Sequence, residues 1–208
     1  MFAPGSGRYL AASGLGLAVL TFGVAAAWVP RTLPSGLLLA AGWAFWLFFL
    51  VFLRDPERTP GEAIVAAADG HIRAVTEEGE RVRVSTFMNV TDVHVNRFPL
   101  DGEVQSVENA GEGFRPAFVE DARHNQRRHY HLTTAIGPVE VIQMTGFVAR
   151  RLVSLVGPGV RGAKGQRLGM ILLGSRVDVL FPTDRVDILV AVGDRVRAGV
   201  TTIARERA

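Results

Sequence analysis

Two long apolar runs open the chain. Residues 9–29 and 33–53 contain no Asp, Glu, Lys or Arg, and a helix needs about 20 apolar residues to cross the hydrocarbon core of a bilayer. Only Val29–Thr32 remain for a turn, so residues 1–55 are predicted to form a transmembrane helical hairpin. A cleaved signal peptide fits less well, because only Arg8 precedes the first run and the second run follows at once.

Beyond Arg54 the pattern changes to short β-like runs separated by turn residues. Asp-Gly occurs at 69–70 and 101–102 and Gly-Asp at 193–194, and all three are turn signals. Helix is scarce, with one candidate near Arg115–Arg127. The predicted fold class is therefore mainly β, a two-layer β-sandwich-like domain over residues 56–208, which is α+β overall with the helical hairpin.

Composition removes several kinds of chemistry. The 208 residues include no cysteine, which excludes disulfides, thiolate nucleophiles and cysteine-ligated metals. Lys164, in a glycine-rich loop, is the only lysine, so a Schiff-base lysine would have to be that residue. The net charge is +3, but Arg8 and Arg31 precede Arg54 without any acidic residue, so the β domain is nearly neutral. We therefore predict no nucleic-acid partner.

The few charges beside the apolar runs predict a topology. Arg8 precedes the first run and Arg54 and Arg58 follow the second, against Arg31 alone in the turn. The positive-inside rule then places both termini, and with them the β domain, on the cytoplasmic side of the cell membrane. Arg54 and Arg58 would suit an anionic lipid surface.

A glycine–serine pair interrupts the apolar run 165–182. Glycine brings no Cβ and tolerates strained dihedrals, so Gly174 would leave its carbonyl open to attack by the Ser175 hydroxyl. The alternative is a simple β-bulge.

Two further polar positions lie in apolar surroundings. Asp69 follows three alanines, where it either carries chemistry or merely makes the turn. In residues 92–98 a strand would place His94 and Asn96 on one face and Arg97 on the other. His94 would suit proton transfer near neutral pH, unless that face is simply exposed to solvent.

The basic segment 123–131 holds three histidines, His124, His129 and His131. It offers no carboxylate at a fixed spacing from them, so we predict no metal site. A solvated segment, or one that meets lipid headgroups, is the favoured interpretation.

Four motifs follow one another in order between residues 52 and 182. FLRDPER (52–58), ADG (68–70), DVHVNRFPLDG (92–102) and LGS with VDVLFP (173–182) resemble the phosphatidylserine decarboxylase proenzymes, especially their short, membrane-anchored bacterial and archaeal branch. The resemblance implies a pyruvoyl enzyme that cuts itself. The Ser175 hydroxyl would attack Gly174 in an N→O acyl shift, and β-elimination would leave a large chain, 1–174, and a small chain, 175–208, as a heterodimer. A homo-oligomer is compatible with it.

The cofactor implied is pyruvate, as a covalent pyruvoyl group made from Ser175. Loss of CO2 from a serine headgroup leaves a carbanion next to nitrogen, which requires an electron sink. Pyridoxal phosphate, the usual sink, needs a lysine and a large domain that this chain lacks. A pyruvoyl carbonyl needs neither.

Roles follow by matching positions. Asp69 would orient or polarise the base, and His94 would transfer protons in self-cleavage or turnover. The family's second histidine is Arg97 here, so His71 or Arg97 would share its tasks unless His94 covers both. Arg176 replaces a threonine of the longer members and would pair with the lipid phosphate or face solvent. Arg176, Asn96 and Arg97 are thus the substrate-binding candidates.

The implied function is conversion of phosphatidylserine, or an archaetidylserine-like lipid, to the ethanolamine phospholipid and CO2 in phospholipid biosynthesis. One alternative is a non-catalytic, membrane-tethered barrel-sandwich adaptor, since Val192–Gly199 resembles the G-D-x-V-x-x-G turn of such domains. Another is a serine hydrolase using Ser175, His94 and Asp69. Only the decarboxylase requires a cut after Gly174.

Overall fold

The structure is a computed structural model that describes residues 1–4, 6–26, 32–113, 125–146, 151–172 and 175–207. The chain divides into two compact units, Met1–Pro56 and Glu57–Ala208. Three predicted features fall wholly or mostly outside the described residues: the turn after residue 28, the helix proposed near 115–127, and Gly174.

The first unit contains two apolar helices, α1 (Gly7–Ala25) and α2 (Leu33–Phe52). Thr32 caps α2 in a capping box with Ser35. Trp46 on α2 donates its indole N–H to the Leu10 carbonyl of α1 at 3.0 Å, and Gly14 leaves the space for that ring. Both helices are long and apolar enough to cross a membrane.

Burial separates these helices from soluble core helices. Only 11% of the most apolar window of α1 and 6% of that of α2 are buried, whereas a core helix of a soluble protein is buried on at least one face. Two helices with this apolar, outward surface suggest membrane association.

The second unit is mainly β, as predicted, and its paired strands are antiparallel. Their bounds are β1 Ile64–Val65, β2 Gly70–Glu78, β3 Arg81–Met88, β4 Val95–Arg97, β5 Gly102–Ala110, β6 Arg127–Thr134, β7 Gly137–Thr145, β8 Arg151–Ser154, β9 Arg161–Gly162, β10 Arg167–Leu172, β11 Ser175–Pro182, β12 Val186–Ile188, β13 Arg195–Val196 and β14 Thr202–Glu206. The predicted mainly β fold class, preceded by two apolar helices, is confirmed.

Three sheets form among the described strands. The largest has eight strands in the order β13-β2-β3-β11-β7-β6-β5-β9. Two three-stranded sheets have the orders β1-β14-β12 and β4-β10-β8. The apolar core joins residues of all three, including Val177 and Val179 of the large sheet, Ile203 of β14 and Ile171 of β10. The core therefore lies between the large sheet and the smaller ones.

The apolar run around the glycine–serine pair is not one strand. Residues up to Leu172 belong to β10, which pairs with β4 and β8, whereas Ser175 begins β11 in the large sheet. A bulge would have kept both halves in one ladder. The run is therefore divided between two sheets, with Leu172 the last described residue of the run in one sheet and Ser175 the first in the other.

Candidate active site

Ser175 is the first residue of β11 and its relative exposure is 0%. It lies opposite Met88 of β3 and Thr145 of β7, so the backbone on both sides fixes its position. Its hydroxyl donates to Met88 Sδ at 3.3 Å. A thioether is a weak acceptor, so this contact orients the hydroxyl without sequestering it in a strong hydrogen bond.

A line of buried polar side chains continues from Met88. Asn96 of β4 donates its side-chain amide to the same sulfur at 3.7 Å and accepts from Gln143 Nε2 at 2.7 Å. Gln143 Oε1 in turn accepts from the Tyr130 hydroxyl at 3.1 Å. Burial raises the pKa of the Tyr130 phenol, which keeps it protonated as a donor. Asn96 and Ser175 thus both contact the sulfur atom of Met88.

His94 is buried, and its backbone pairs with the strand that leads to the predicted cleavage site. Its carbonyl accepts the N–H of Ile171 at 3.1 Å. Its Nδ1 lies 2.8 Å from the Asp92 carbonyl oxygen. A carbonyl only accepts, so Nδ1 carries the hydrogen and, in the neutral ring, Nε2 carries the lone pair. This is the tautomer that a base at Nε2 requires.

His94 and Asn96 are two residues apart. In an extended segment such side chains share a face and lie about 7 Å from each other. His94 directly precedes β4. The predicted alternative of a solvent-exposed face is wrong for His94 and Asn96, since both are buried.

Asp69 is held by two groups of its own unit. Arg58 binds both carboxylate oxygens, and the Ala198 N–H donates to Oδ1 at 2.8 Å. The expectation that Arg58 faces a lipid surface is wrong, because its side chain is 10% exposed and lies on Asp69. Asp69 directly precedes Gly70, where an added Cβ would meet the Phe87 carbonyl oxygen at 2.0 Å. This close approach sets the Asp69 turn beside the strand that carries Met88.

The two arginine candidates point to other partners. Arg176 makes two hydrogen bonds to Asp178, at 2.6 and 2.8 Å, and one to the Ser85 hydroxyl at 3.1 Å. Arg83 binds the same Asp178 at 2.8 Å. Arg97 donates to the Gly165 carbonyl at 2.9 Å. Both guanidinium groups thus have protein partners, while Ser175 and Asn96 both contact the Met88 sulfur.

Sequence reasoning missed Met88, Gln143 and Tyr130. They lie in ordinary strand runs, and the only signal was a polar glutamine at an inward-facing position of β7, opposite Val177. The register that brings them to Ser175 comes from pairing between strands far apart in the chain.

A histidine cluster lies elsewhere in the large sheet. His129, His131 and Glu140 offer ligand atoms within 4.8 Å of one another, a proximity that sequence spacing did not predict. Glu140 is already engaged, because His129 Nδ1 lies 2.6 Å and Arg81 Nη1 2.8 Å from its oxygens. Burial raises the pKa of Glu140, but the hydrogen bonds from His129 and Arg81 outweigh it and lower that pKa to about 2. This carboxylate serves as a counterion.

Comparison with known proteins shows a consistent likeness. A sequence model of the phosphatidylserine decarboxylase family matches residues 45–204. A phosphatidylserine decarboxylase proenzyme of Streptomyces avermitilis is 44% identical over 81% of this chain and 76% of its own length. Proteins named provisionally as archaetidylserine decarboxylase proenzymes are similar too. The protein of Halobacterium salinarum is 45% identical over 79% of this chain and 84% of its own length. The protein of Methanosarcina acetivorans is 36% identical over 98% of this chain and 96% of its own length.

Proposed function

The chain belongs to the phosphatidylserine decarboxylase family, and from this membership we propose a membrane-anchored enzyme that cuts itself between Gly174 and Ser175 and then decarboxylates a serine phospholipid. Similar relatives are named for phosphatidylserine and for archaetidylserine. The serine headgroup is what the two substrates share, so the site should recognise that headgroup. The product is the corresponding ethanolamine phospholipid in phospholipid synthesis.

The observation that carries the proposal is the setting of Ser175. Its hydroxyl is buried at the start of a strand, held by a weak acceptor, and directly follows the glycine whose carbonyl it would attack. Attack forms an ester as the Ser175 nitrogen leaves with a proton. Removal of the Ser175 α-proton then expels the Gly174 carboxylate, and water replaces the nitrogen of the resulting dehydroalanine, releasing ammonia. The atoms balance without an external reagent other than water.

The residues around Ser175 suit the group thus formed. Asn96 contacts the same Met88 sulfur as Ser175, and Gln143 donates to Asn96, so two side-chain amides lie near the buried serine. The pyruvoyl group, once formed, supplies the electron sink for the carbanion left by loss of CO2. The chain's own residues bury this position, with Ser175 at 0% exposure, which limits the access of water and so disfavours premature protonation of the carbanion.

His94 is proposed to move the protons. With hydrogen on Nδ1, its Nε2 can accept the Ser175 hydroxyl proton during cleavage and later deliver a proton to the substrate carbon. Asp69 fixes the adjoining turn through Arg58 and Ala198. We infer that it supports the base through this turn.

The anchor fits a lipid substrate. Two apolar helices precede the β domain, and tethering raises the effective concentration of the site at the membrane surface. We propose the cell membrane as its location, with the β domain on the cytoplasmic side according to the arginine distribution. The large and small chains would stay together as a heterodimer, since β11 of the small chain pairs with β3 and β7 of the large one.

Intact mass of the purified full-length protein under denaturing conditions tests the proposal. We expect two chains, 1–174 and 175–208, the smaller blocked at its N-terminus and lighter than a hydrolytic fragment by the mass of ammonia. Ser175→Ala should remain uncut and should not release CO2 from phosphatidylserine. A processed Ser175→Ala protein would refute the assignment, and a single uncut chain labelled by a fluorophosphonate at Ser175 would favour the serine hydrolase.

A further inference from the structure

Three arginines line one pocket at the end of the large sheet where Ser175 lies. Arg127 and Arg128 begin β6, and Arg151 begins β8. The end of β5 and the two residues that follow it, together residues 109–112, form another wall of a space of about 520 Å³. That volume is in the range of small-ligand sites.

The arginines keep their charge available. Within the described part of the chain, Arg128 donates to two neutral acceptors, Asn109 Oδ1 at 2.9 Å and the Leu152 carbonyl at 3.2 Å. The ion pairs found among the described residues include none of Arg127, Arg128 or Arg151.

One buried donor in the pocket is also unused. Arg127 Nε is buried and has no hydrogen-bond partner in the described part of the chain, although a buried donor normally has one. Glu112 is exposed at the rim, and this single carboxylate leaves the pocket with an excess of positive charge. Both observations point to an anionic ligand.

The register places this pocket next to the cleavage serine. Arg127 and Arg128 lie opposite Met144 and Gln143 of β7, and β7 also pairs with β11 at Ser175. Neighbouring strands are about 4.8 Å apart, so β6 lies about 10 Å from β11. Arg151 lies opposite Leu172, three residues before Ser175. The pocket therefore lies beside the Ser175 end of both sheets, with Arg128 on the same face of the large sheet as Ser175.

We propose that this pocket binds the phosphodiester of the substrate headgroup, an inference that rests on the proposed function. Guanidinium groups bind phosphate oxygens through paired, charge-assisted hydrogen bonds. In the substrate, the serine carboxylate and amine are only a few bonds from the phosphodiester. A phosphodiester held in this pocket therefore directs them toward Ser175. The pocket would thus take the anionic recognition that sequence analysis gave to Arg176, whose guanidinium is bound by Asp178.

The test measures equilibrium binding of glycerophosphoethanolamine to the full-length chain in detergent by calorimetry. This probe has the phosphodiester and the amine but no carboxylate, so it cannot be decarboxylated. The variants are Arg151→Gln, which removes an exposed side chain, and Arg127→Gln combined with it. The matched control is Arg161→Gln, an 86%-exposed arginine at the other end of β5.

We expect the double variant to bind glycerophosphoethanolamine about tenfold more weakly, the single variant to fall between, and Arg161→Gln to match the wild type. Ethanolamine, which lacks the phosphodiester, should bind all of them equally. Unchanged affinity in the double variant, equal loss in Arg161→Gln, or equal loss for ethanolamine would each overturn the proposal.

Two further measurements distinguish the remaining explanations. If the double variant keeps its affinity for the probe but loses a response to phosphatidylglycerol in mixed micelles, the pocket takes a neighbouring lipid and its assignment to the substrate is overturned. Intact mass on the same samples reports cleavage independently. An uncut chain that still shows arginine-dependent binding refutes the proposed function and leaves the phosphodiester pocket standing.

Discussion

Arg58 holds Asp69 in a two-pronged ion pair. Nη1 lies 2.5 Å from Oδ1 and Nη2 lies 2.8 Å from Oδ2, with the side chains only 10% and 11% exposed. The pair joins the RDPER and ADG motifs through two residues that are 11 positions apart in the chain. Breaking one side of a buried pair leaves an uncompensated charge and typically costs about 3–5 kcal/mol.

This pair allows the two contributions of Asp69 to be separated. Asp69→Asn should lower the free energy of unfolding by about 3 kcal/mol, because the Arg58 charge stays buried without its counterion. The double variant Arg58→Met/Asp69→Leu should recover most of that stability but still cut slowly, if the carboxylate supports the base. Thermal unfolding and the time course of cleavage measure the two effects. Wild-type cleavage in the double variant would reduce Asp69 to a structural role.

His94→Ala should slow cleavage, turnover or both by about 10²–10⁴-fold, the usual contribution of a general acid–base group. Cleavage is followed by intact mass, and turnover by CO2 release from whatever cut protein forms. The comparison variant is His71→Ala, whose side chain is exposed on β2 and should cut normally. Full activity in His94→Ala, with loss in His71→Ala, would reassign the base.

Gly169→Ala should disturb the buried amides beside Ser175. The new Cβ would lie 2.7 Å from the Val153 carbonyl oxygen, 2.8 Å from the Tyr130 hydroxyl and 2.9 Å from Gln143 Nε2. Overpacking of this kind costs about 1–3 kcal/mol, and displacing Gln143 should also slow cleavage.

The matched control is Gly157→Ala, where an added Cβ meets nothing within 4 Å. It should leave both thermal unfolding and cleavage unchanged. If Gly169→Ala behaved like this control, the close packing around Gln143 would not matter for self-processing.

Glu140 makes the stability of the β domain depend on acid pH. Its pKa falls from 4.5 to about 2 in the folded chain, so its stabilisation is complete above pH 4.5 and is lost as the pH falls through about 2. A shift of this size corresponds to about 3 kcal/mol.

Chemical denaturation across this pH range measures the dependence. Glu140→Gln should be less stable at pH 7 and should lose this part of the acid dependence. Glu108→Gln, which removes a carboxylate that is 65% exposed, should keep the wild-type profile. The same slope in Glu140→Gln and wild type would show that other carboxylates carry the acid sensitivity.

Local pattern predicted much of this protein. The length of the two charge-free runs predicted the apolar helices, and alternation with turn dipeptides predicted a mainly β domain. The ordered motifs identified the family, since their order survives wherever the residues lie in space. Ser175 was predicted as the cleavage serine from the glycine before it and the apolar run around it.

Tertiary structure decided how these parts meet. It placed β10 and β11 in different sheets, paired Arg176 with Asp178, and brought Met88 and Asn96 to Ser175. Such contacts join residues far apart in the chain, and they depend on strand order and register. A one-residue shift in register turns every side chain to the opposite face of its sheet. Periodicity and motifs depend on residues that are close together in the sequence, so the sequence alone predicts them. Strand register depends on the packing of the whole core, so only the tertiary structure determines it.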